Sequence, residues 1–80
     1  MAMKDTAQSR DLNVALGSNL RRLRIARGLT QVEVANRAGI TRAHINRLEH
    51  GTYNARLDTV RKLAMALNVE PLKLLKSQRS

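Results

Sequence analysis

Three glycines, at positions 28, 39 and 51, lie in the middle of the chain and mark where its helices are expected to end. Glycine adopts the left-handed conformation that ends many helices at little steric cost. Thr30 and Thr41 follow the first two glycines, and a threonine hydroxyl accepts a hydrogen bond from a free backbone N–H at a helix start. The spacing predicts two helices of roughly eight residues joined by a tight turn at Gly39, which is a helix-turn-helix pattern.

Apolar spacing predicts three further helices. The first runs from Leu12 to Arg27 and repeats leucine at positions 12, 16, 20 and 23. A fourth helix covers about 58–67, and a fifth starts at Glu70-Pro71, because proline is tolerated in the first helical position. With no strand pattern present, the predicted fold class is all-α, a compact five-helix bundle with a helix-turn-helix.

The same spacing predicts caps and buried faces. Thr30 and Glu33 are separated as in a capping box, where each side chain bonds to the backbone N–H of the other residue. Placing residues 100° apart around the axis separates inner from outer side chains. The predicted inner residues of the second, third and fourth helices are Val34, Ala35, Ala38, Ile45, Leu48, Val60, Leu63, Ala64 and Leu67.

The 80 residues leave room for one domain. Residues 1–11 are polar with balanced charges and predict a flexible N-terminal lead-in, with a helical end as the alternative. Residues 12–76 are the predicted folded domain, and residues 77–80 are the predicted basic tail. The chain has no cysteine, no apolar run of membrane-spanning length and no apolar stretch of a signal peptide near its start. We therefore expect a cytoplasmic protein without a membrane partner.

The net charge of +9, carried mostly by arginine, indicates a polyanionic partner, although a solvated basic surface is the alternative. Tyr53 is the one aromatic residue, which disfavours the base-stacking modes that bind single strands and many RNAs. Double-stranded DNA is therefore the expected partner.

The outer face of the third helix has the residue types that read base edges. Ala43, Asn46, Arg47 and His50 point away from the core, and Arg42 reaches forward from the first turn. Arginine forms a fork to guanine, asparagine pairs with adenine, and alanine touches the thymine methyl. An ordinary solvated face is the alternative.

The stretch from Leu16 to Leu75 resembles the phage-repressor-like (Cro-like or XRE-type) helix-turn-helix family. The matching segments are LGSNLRRLRIARGLTQVEVANRAGITRAHINRLEHG and LDTVRKLAMALNVEPLKLL, about three-quarters of the chain. The resemblance implies a lambda-repressor-like DNA-binding domain at 12–76, a homodimer and transcriptional control of nearby genes, as in restriction–modification controller proteins.

The resemblance also implies roles for individual residues. Base readout falls to Arg42, Ala43, Asn46 and Arg47, with Asn46 divided between base contact, backbone contact and solvent. Phosphate contacts fall to Gln31, for which a plain polar residue at a helix start is the alternative, and to Thr41. Independently of the resemblance, Thr52, Tyr53, Asn54 and Arg56 precede the fourth helix, whose free N–H groups form an anion site, so we expect phosphate contacts there; an ordinary surface loop is the alternative. His44, at the side of the third helix, is expected to contact phosphate or to be exposed to solvent. Arg24 and Glu49 form a structural salt bridge, in agreement with the inward direction of Glu49 on the helical wheel. Where the family often has Pro-Ser, this chain has Ala55-Arg56, so the usual serine cap is missing.

The fifth helix predicts the dimer interface. An inner face of Leu72 and Leu75 leaves Leu74 spare on a short helix, and exposed leucines often mark interfaces. The predicted interface comprises Leu72, Leu74 and Leu75. The alternative is that Leu74 packs on the fourth helix.

These observations predict a sequence-specific, homodimeric transcription regulator that binds a near-palindromic operator. The more specific hypothesis is an autoregulatory controller of a restriction–modification operon. The alternatives are an antitoxin that represses its own operon and binds a toxin, or a non-specific nucleic-acid-binding protein. His44 and His50 are poorly spaced for zinc, and no nucleophile–base set or phosphate loop is visible. We therefore expect no enzymatic activity, cofactor, metal or small-molecule effector.

Overall fold

The computed structural model describes residues 6–77, with side chains from residue 11 onward, and within this range it consists of helices and connecting loops. The five helices are α1 (Thr6–Ala26), α2 (Gln31–Ala38), α3 (Arg42–Glu49), α4 (Leu57–Leu67) and α5 (Pro71–Leu75). The predicted all-α, five-helix class is confirmed. No helix in the described range is both long and apolar enough to cross a bilayer.

The core forms where α1 packs against α3, α4 and α5 while α2 closes the other side against α3 and α4. Leu20, Ile45 and Leu63 have no solvent exposure at all. Every inner residue predicted for α2, α3 and α4 is buried. Burial of one such side chain contributes roughly 1.5–3 kcal/mol, so a few leucines account for much of the stability of a small domain.

Helix α1 starts earlier than the apolar pattern predicts. Residues 6–11 belong to α1, which agrees with a lead-in that is helical near its end, while residues 1–5 and 78–80 lie outside the described range. Ala, Gln and Arg are good helix formers, so the composition of this segment favours a helix without an apolar repeat. Consistent with this, Leu12 is 53% exposed and does not join the core with Leu16, Leu20 and Leu23.

The caps of the two short helices follow the prediction. The Thr30 hydroxyl accepts a hydrogen bond from Glu33 N at 3.0 Å, and Thr30 N donates to Glu33 Oε1 at 2.8 Å, which completes the capping box. The hydrogen bond from the Thr30 backbone N–H, followed by one with the Thr30 side chain, lowers the pKa of Glu33 below its ordinary value. Gly39 ends α2 in the left-handed conformation, and Thr41 Oγ1 accepts from His44 N at 3.1 Å. The start of α3 is thus set locally.

Helix α5 is rotated differently from the prediction. Leu74 is fully buried, whereas Leu72 is 68% exposed and Leu75 is half-buried. The rotation follows from Asn19, a buried α1 residue whose Nδ2 donates to Leu74 O at 2.8 Å and Lys76 O at 2.7 Å. The prediction that Leu74 is spare and part of an exposed interface was wrong, because Leu74 is a core residue.

Helix α4 begins without a side-chain cap. Its N-cap residue is Arg56, whose side chain makes no capping hydrogen bond, as the missing serine led us to expect. Asp58 in the first turn places a negative charge near the positive end of the helix dipole. Ion pairs with Arg61 and Lys62 lower the pKa of Asp58.

Candidate nucleic-acid interface

Helix α3 presents one face to the core and the other to solvent. Ile45 and Leu48 are buried, whereas Arg42, Ala43 and Arg47 are exposed. The exposed face carries two arginines beside a small side chain, so no bulky group blocks a close approach by a ligand. This is the arrangement that a helix lying in the major groove requires.

Helix α3 is held against α1 at unusually close range by Gly17. A Cβ atom built on Gly17 would overlap the Leu48 carbonyl oxygen and would lie 3.0 Å from the Glu49 carbonyl oxygen. The backbones of the two helices therefore touch directly, and glycine alone leaves the space. The sequence analysis missed Gly17, although a glycine in a helix interior is itself a signal of close packing.

A two-pronged ion pair joins the same two helices. Arg24 Nε donates to Glu49 Oε2 at 2.6 Å, and Arg24 Nη2 donates to Glu49 Oε1 at 3.1 Å. The two side chains are only 13% and 4% exposed, so the pair is shielded from water. A further bond from Arg24 Nη1 to Leu29 O, at 2.9 Å, ties the pair to the turn before α2. The hydrogen bond to Glu49 raises the pKa of Arg24, which keeps the guanidinium charged.

Gln31 braces α3 from the other side. Its Nε2 donates to Glu49 Oε1 at 3.1 Å and to Asn46 Oδ1 at 3.3 Å. The side-chain N–H donors of Gln31 are thus directed at α3, while its backbone N–H, in the first turn of α2, has no intrahelical partner. Asn46 is half-buried, and its Oδ1 accepts the hydrogen bond from Gln31. Its Nδ2 therefore remains as the donor that Asn46 can offer to a ligand.

The loop between α3 and α4 is fastened to the bundle at two points. The rings of His44 and Tyr53 meet edge to face with centroids 4.8 Å apart, and Asn13 Nδ2 donates to Asn54 Oδ1 at 2.6 Å. His44 Nε2 is buried and has no hydrogen-bond partner. His44 is therefore half-buried against Tyr53, and its phosphate contact stays a prediction.

The remaining predicted loop residues lie at the surface. Thr52, Tyr53, Asn54 and Arg56 are exposed and precede α4 in the chain, and Tyr53 contacts His44 of α3. Arg42, Arg47 and Arg56 make no ion pair among the described residues, where the only pairs involve Glu49 and Asp58. Their charges are therefore uncompensated on one side of the molecule. His50 sits at the end of α3 with Nδ1 2.7 Å from Asn46 O.

Comparison with known proteins gives consistent results. The helix-turn-helix family model HTH_3 matches residues 20–74. An uncharacterized HTH-type transcriptional regulator, y4dJ of Sinorhizobium fredii, is 41% identical over 64 residues, which cover 80% of this chain and 83% of the relative. Control protein C.BamHI of Bacillus amyloliquefaciens is 30% identical over 81% of this chain and 82% of its own length. The crystal structure of the restriction-modification controller protein C.AhdI from Aeromonas hydrophila superposes with a TM-score of 0.75 at 40% identity, covering 78% of this chain and 94% of that chain.

Proposed function

The chain belongs to the HTH_3 helix-turn-helix family of DNA-binding transcription regulators, and from that premise we propose that it acts as a homodimer on a near-palindromic operator. One observation carries the proposal. The exposed face of α3 bears Arg42, Ala43 and Arg47, while its opposite face is braced by an ion pair and by backbone contact with α1. A rigid helix with exposed forked donors can read base edges in the major groove.

Base readout falls to four residues of α3. Arg42 and Arg47 each offer a planar fork of N–H donors to guanine N7 and O6. Ala43 lets the helix approach closely and contacts a thymine methyl, and the free Nδ2 of Asn46 donates to a base or to the backbone. These contacts would be repeated by the second subunit about 34 Å away along the duplex.

Backbone contacts flank this helix. Thr41 and Thr52 offer hydroxyl donors, Tyr53 a phenol, Asn54 its Nδ2 and Arg56 a charge, all at the surface beside α3. Gln31 contributes its free backbone N–H. His44 packs edge to face with Tyr53, and we retain it as a candidate phosphate contact at the edge of this surface. Because phosphate contacts release counterions, binding should weaken steeply as salt rises.

Arg47→Gln tests the base-reading role. We expect the affinity for the operator to fall by about 1–3 kcal/mol while binding to unrelated DNA changes little, because a lost fork matters only at its own base pair. Footprinting and gel-shift titration on the chain's own upstream region would measure both. Arg61→Gln, which removes an equal charge from α4, is the control. Equal losses on operator and unrelated duplexes would reduce Arg47 to a non-specific contact.

Restriction–modification control is the specific role we propose. C.BamHI and C.AhdI, both named as controllers, match this chain over about four-fifths of its length. We propose that the chain regulates such an operon, including its own gene. Two protected half-sites one helical turn apart in the upstream region would support this role, whereas uniform protection of every sequence would indicate a non-specific nucleic-acid-binding protein.

The dimer interface we propose centres on the exposed leucine of α5. Leu72 is 68% exposed and Leu75 is half-buried, so both retain apolar surface for a second copy, whereas Leu74 does not. Burying such side chains between two subunits would contribute favourably to the free energy of dimerisation.

Leu72→Glu should therefore convert the dimer to monomer at micromolar concentration, because it places a charge in an apolar contact. Sedimentation equilibrium measures the change. Met65→Glu is the matched control, since Met65 is 70% exposed on the solvent side of α4. If Leu72→Glu leaves the association constant unchanged, the interface lies elsewhere.

A further inference from the structure

A polar cavity opens beside α3, where α1, α2 and α3 meet. It has a volume of about 450 Å³. Its lining residues are Arg21, Arg24, Gln31, Asn46, Glu49 and His50. Three of them, Asn46, Glu49 and His50, belong to α3 or its C-cap, so the cavity adjoins the helix that carries the base-reading face.

The charges around the cavity do not cancel. Arg24 is neutralised by Glu49, whose two carboxylate oxygens both accept hydrogen bonds, from Arg24 and from Gln31. Arg21 is exposed and has no ion-pair partner among residues 11–77. Arg21 therefore supplies the uncompensated positive charge of the cavity, and the engaged carboxylate of Glu49 repels an anion less than a free one would.

The position of Arg21 on α1 directs it toward α3. At 100° per residue, Arg21 lies about 40° from Gly17 and about 60° from Arg24 around the helix axis. Both of those residues contact α3 directly. Arg21 is on the same side of α1 but at the surface, so it flanks α3 and does not pack beneath it.

We propose that this cavity binds a DNA backbone phosphate, held by the Arg21 guanidinium, and that the interface with the operator extends onto α1. The inference rests on the proposed function and adds a binding residue to it. A phosphate needs convergent donors. Arg21 offers five N–H groups, and Asn46, which lines the same cavity, offers its Nδ2. A helix in the major groove is flanked by the phosphates of both strands, and Arg21 stands at the flank of α3.

Arg21→Gln tests the proposal through the salt dependence of binding. The slope of log affinity against log salt should become shallower by about one for each subunit, hence about two for the dimer. The ratio of affinities for operator and unrelated duplex should stay unchanged, because a phosphate contact carries no sequence information. Arg21→Lys should retain the wild-type slope. Arg37→Gln, which removes an equal charge at the far end of α2, should also leave the slope unchanged.

The slope is measured on both duplexes, so the two proposals can fail separately. A wild-type protein that binds both duplexes equally would refute sequence-specific regulation, yet a shallower slope for Arg21→Gln would still support the phosphate site. A slope for Arg21→Gln equal to that of the wild type, or equal losses in Arg21→Gln and Arg37→Gln, would overturn it. Thermal unfolding of each variant confirms that the exposed substitutions leave the fold intact.

Discussion

Replacing Glu49 with alanine is expected to lower the free energy of unfolding by about 3 kcal/mol, a large fraction of the stability of so small a domain. The substitution leaves the Arg24 guanidinium in a site that is only 13% exposed, without its partner. It also removes one of the two acceptors of Gln31 Nε2. Urea unfolding followed by circular dichroism would measure the loss.

Two variants show whether burial is the cause. Asp58→Ala breaks surface ion pairs with Arg61 and Lys62, and the three side chains are 40–58% exposed. This variant should therefore lose far less stability than Glu49→Ala. The double variant Arg24→Met with Glu49→Leu should recover much of the loss, because an apolar pair carries no desolvation penalty. If Glu49→Ala proves no more damaging than Asp58→Ala, the ion pair does not hold α3 in place.

Replacing Gly17 with alanine is expected to destabilise the domain by about 2–3 kcal/mol, the range typical of overpacking. The added methyl group would overlap the Leu48 carbonyl oxygen and crowd the Glu49 carbonyl, and both are backbone atoms that cannot rotate away. Helix α3 would have to move off α1. Urea unfolding measures the stability, and amide chemical shifts of α3 report the displacement.

Packing and helix propensity predict opposite signs for the change in stability caused by Gly17→Ala. Helix propensity alone predicts that glycine to alanine in α1 stabilises the helix by about 1 kcal/mol. Ser18→Ala, the exposed neighbour, is the matched control and should be nearly neutral. A stabilised Gly17→Ala variant would mean that α1 and α3 do not touch through their backbones.

Both variants act on the support behind α3 and leave Arg42 and Arg47 in place. Operator binding should therefore fall at least in proportion to the unfolded fraction, and the part of the loss that comes from unfolding should recover when folding is restored by an osmolyte. This behaviour separates them from Arg47→Gln, whose defect in operator preference should persist in a fully folded protein.

Helix ends were predictable wherever the interactions that set them are local. Thr30 with Glu33, Thr41 and Gly39 each act within a few residues of the helix end that they determine. The buried faces of α2, α3 and α4 were predictable for a similar reason, since a helix with one apolar face has one way to bury it. The Arg24–Glu49 pair came from the family resemblance and from the inward direction of Glu49.

The arrangement of distant side chains was not predictable in this way. His44 packs against Tyr53, and Asn13 bonds to Asn54 across 41 residues, so the loop that flanks α3 is fastened by partners that no local pattern joins. The polar start of α1 is helical although no apolar repeat marks it, and Leu12 is exposed although it continues the repeat.

The sequence by itself determined the number and order of the helices from α2 onward and which face of α3 meets solvent, because capping and amphipathic spacing act over a few residues. Only the tertiary structure decided the rotation of α5 and the contact between α1 and α3. Asn19 reaches Leu74 O and Lys76 O across more than 50 residues, and this places Leu74 in the core and leaves Leu72 outside. The backbone contact at Gly17 likewise exists only once two helices distant in sequence have packed together.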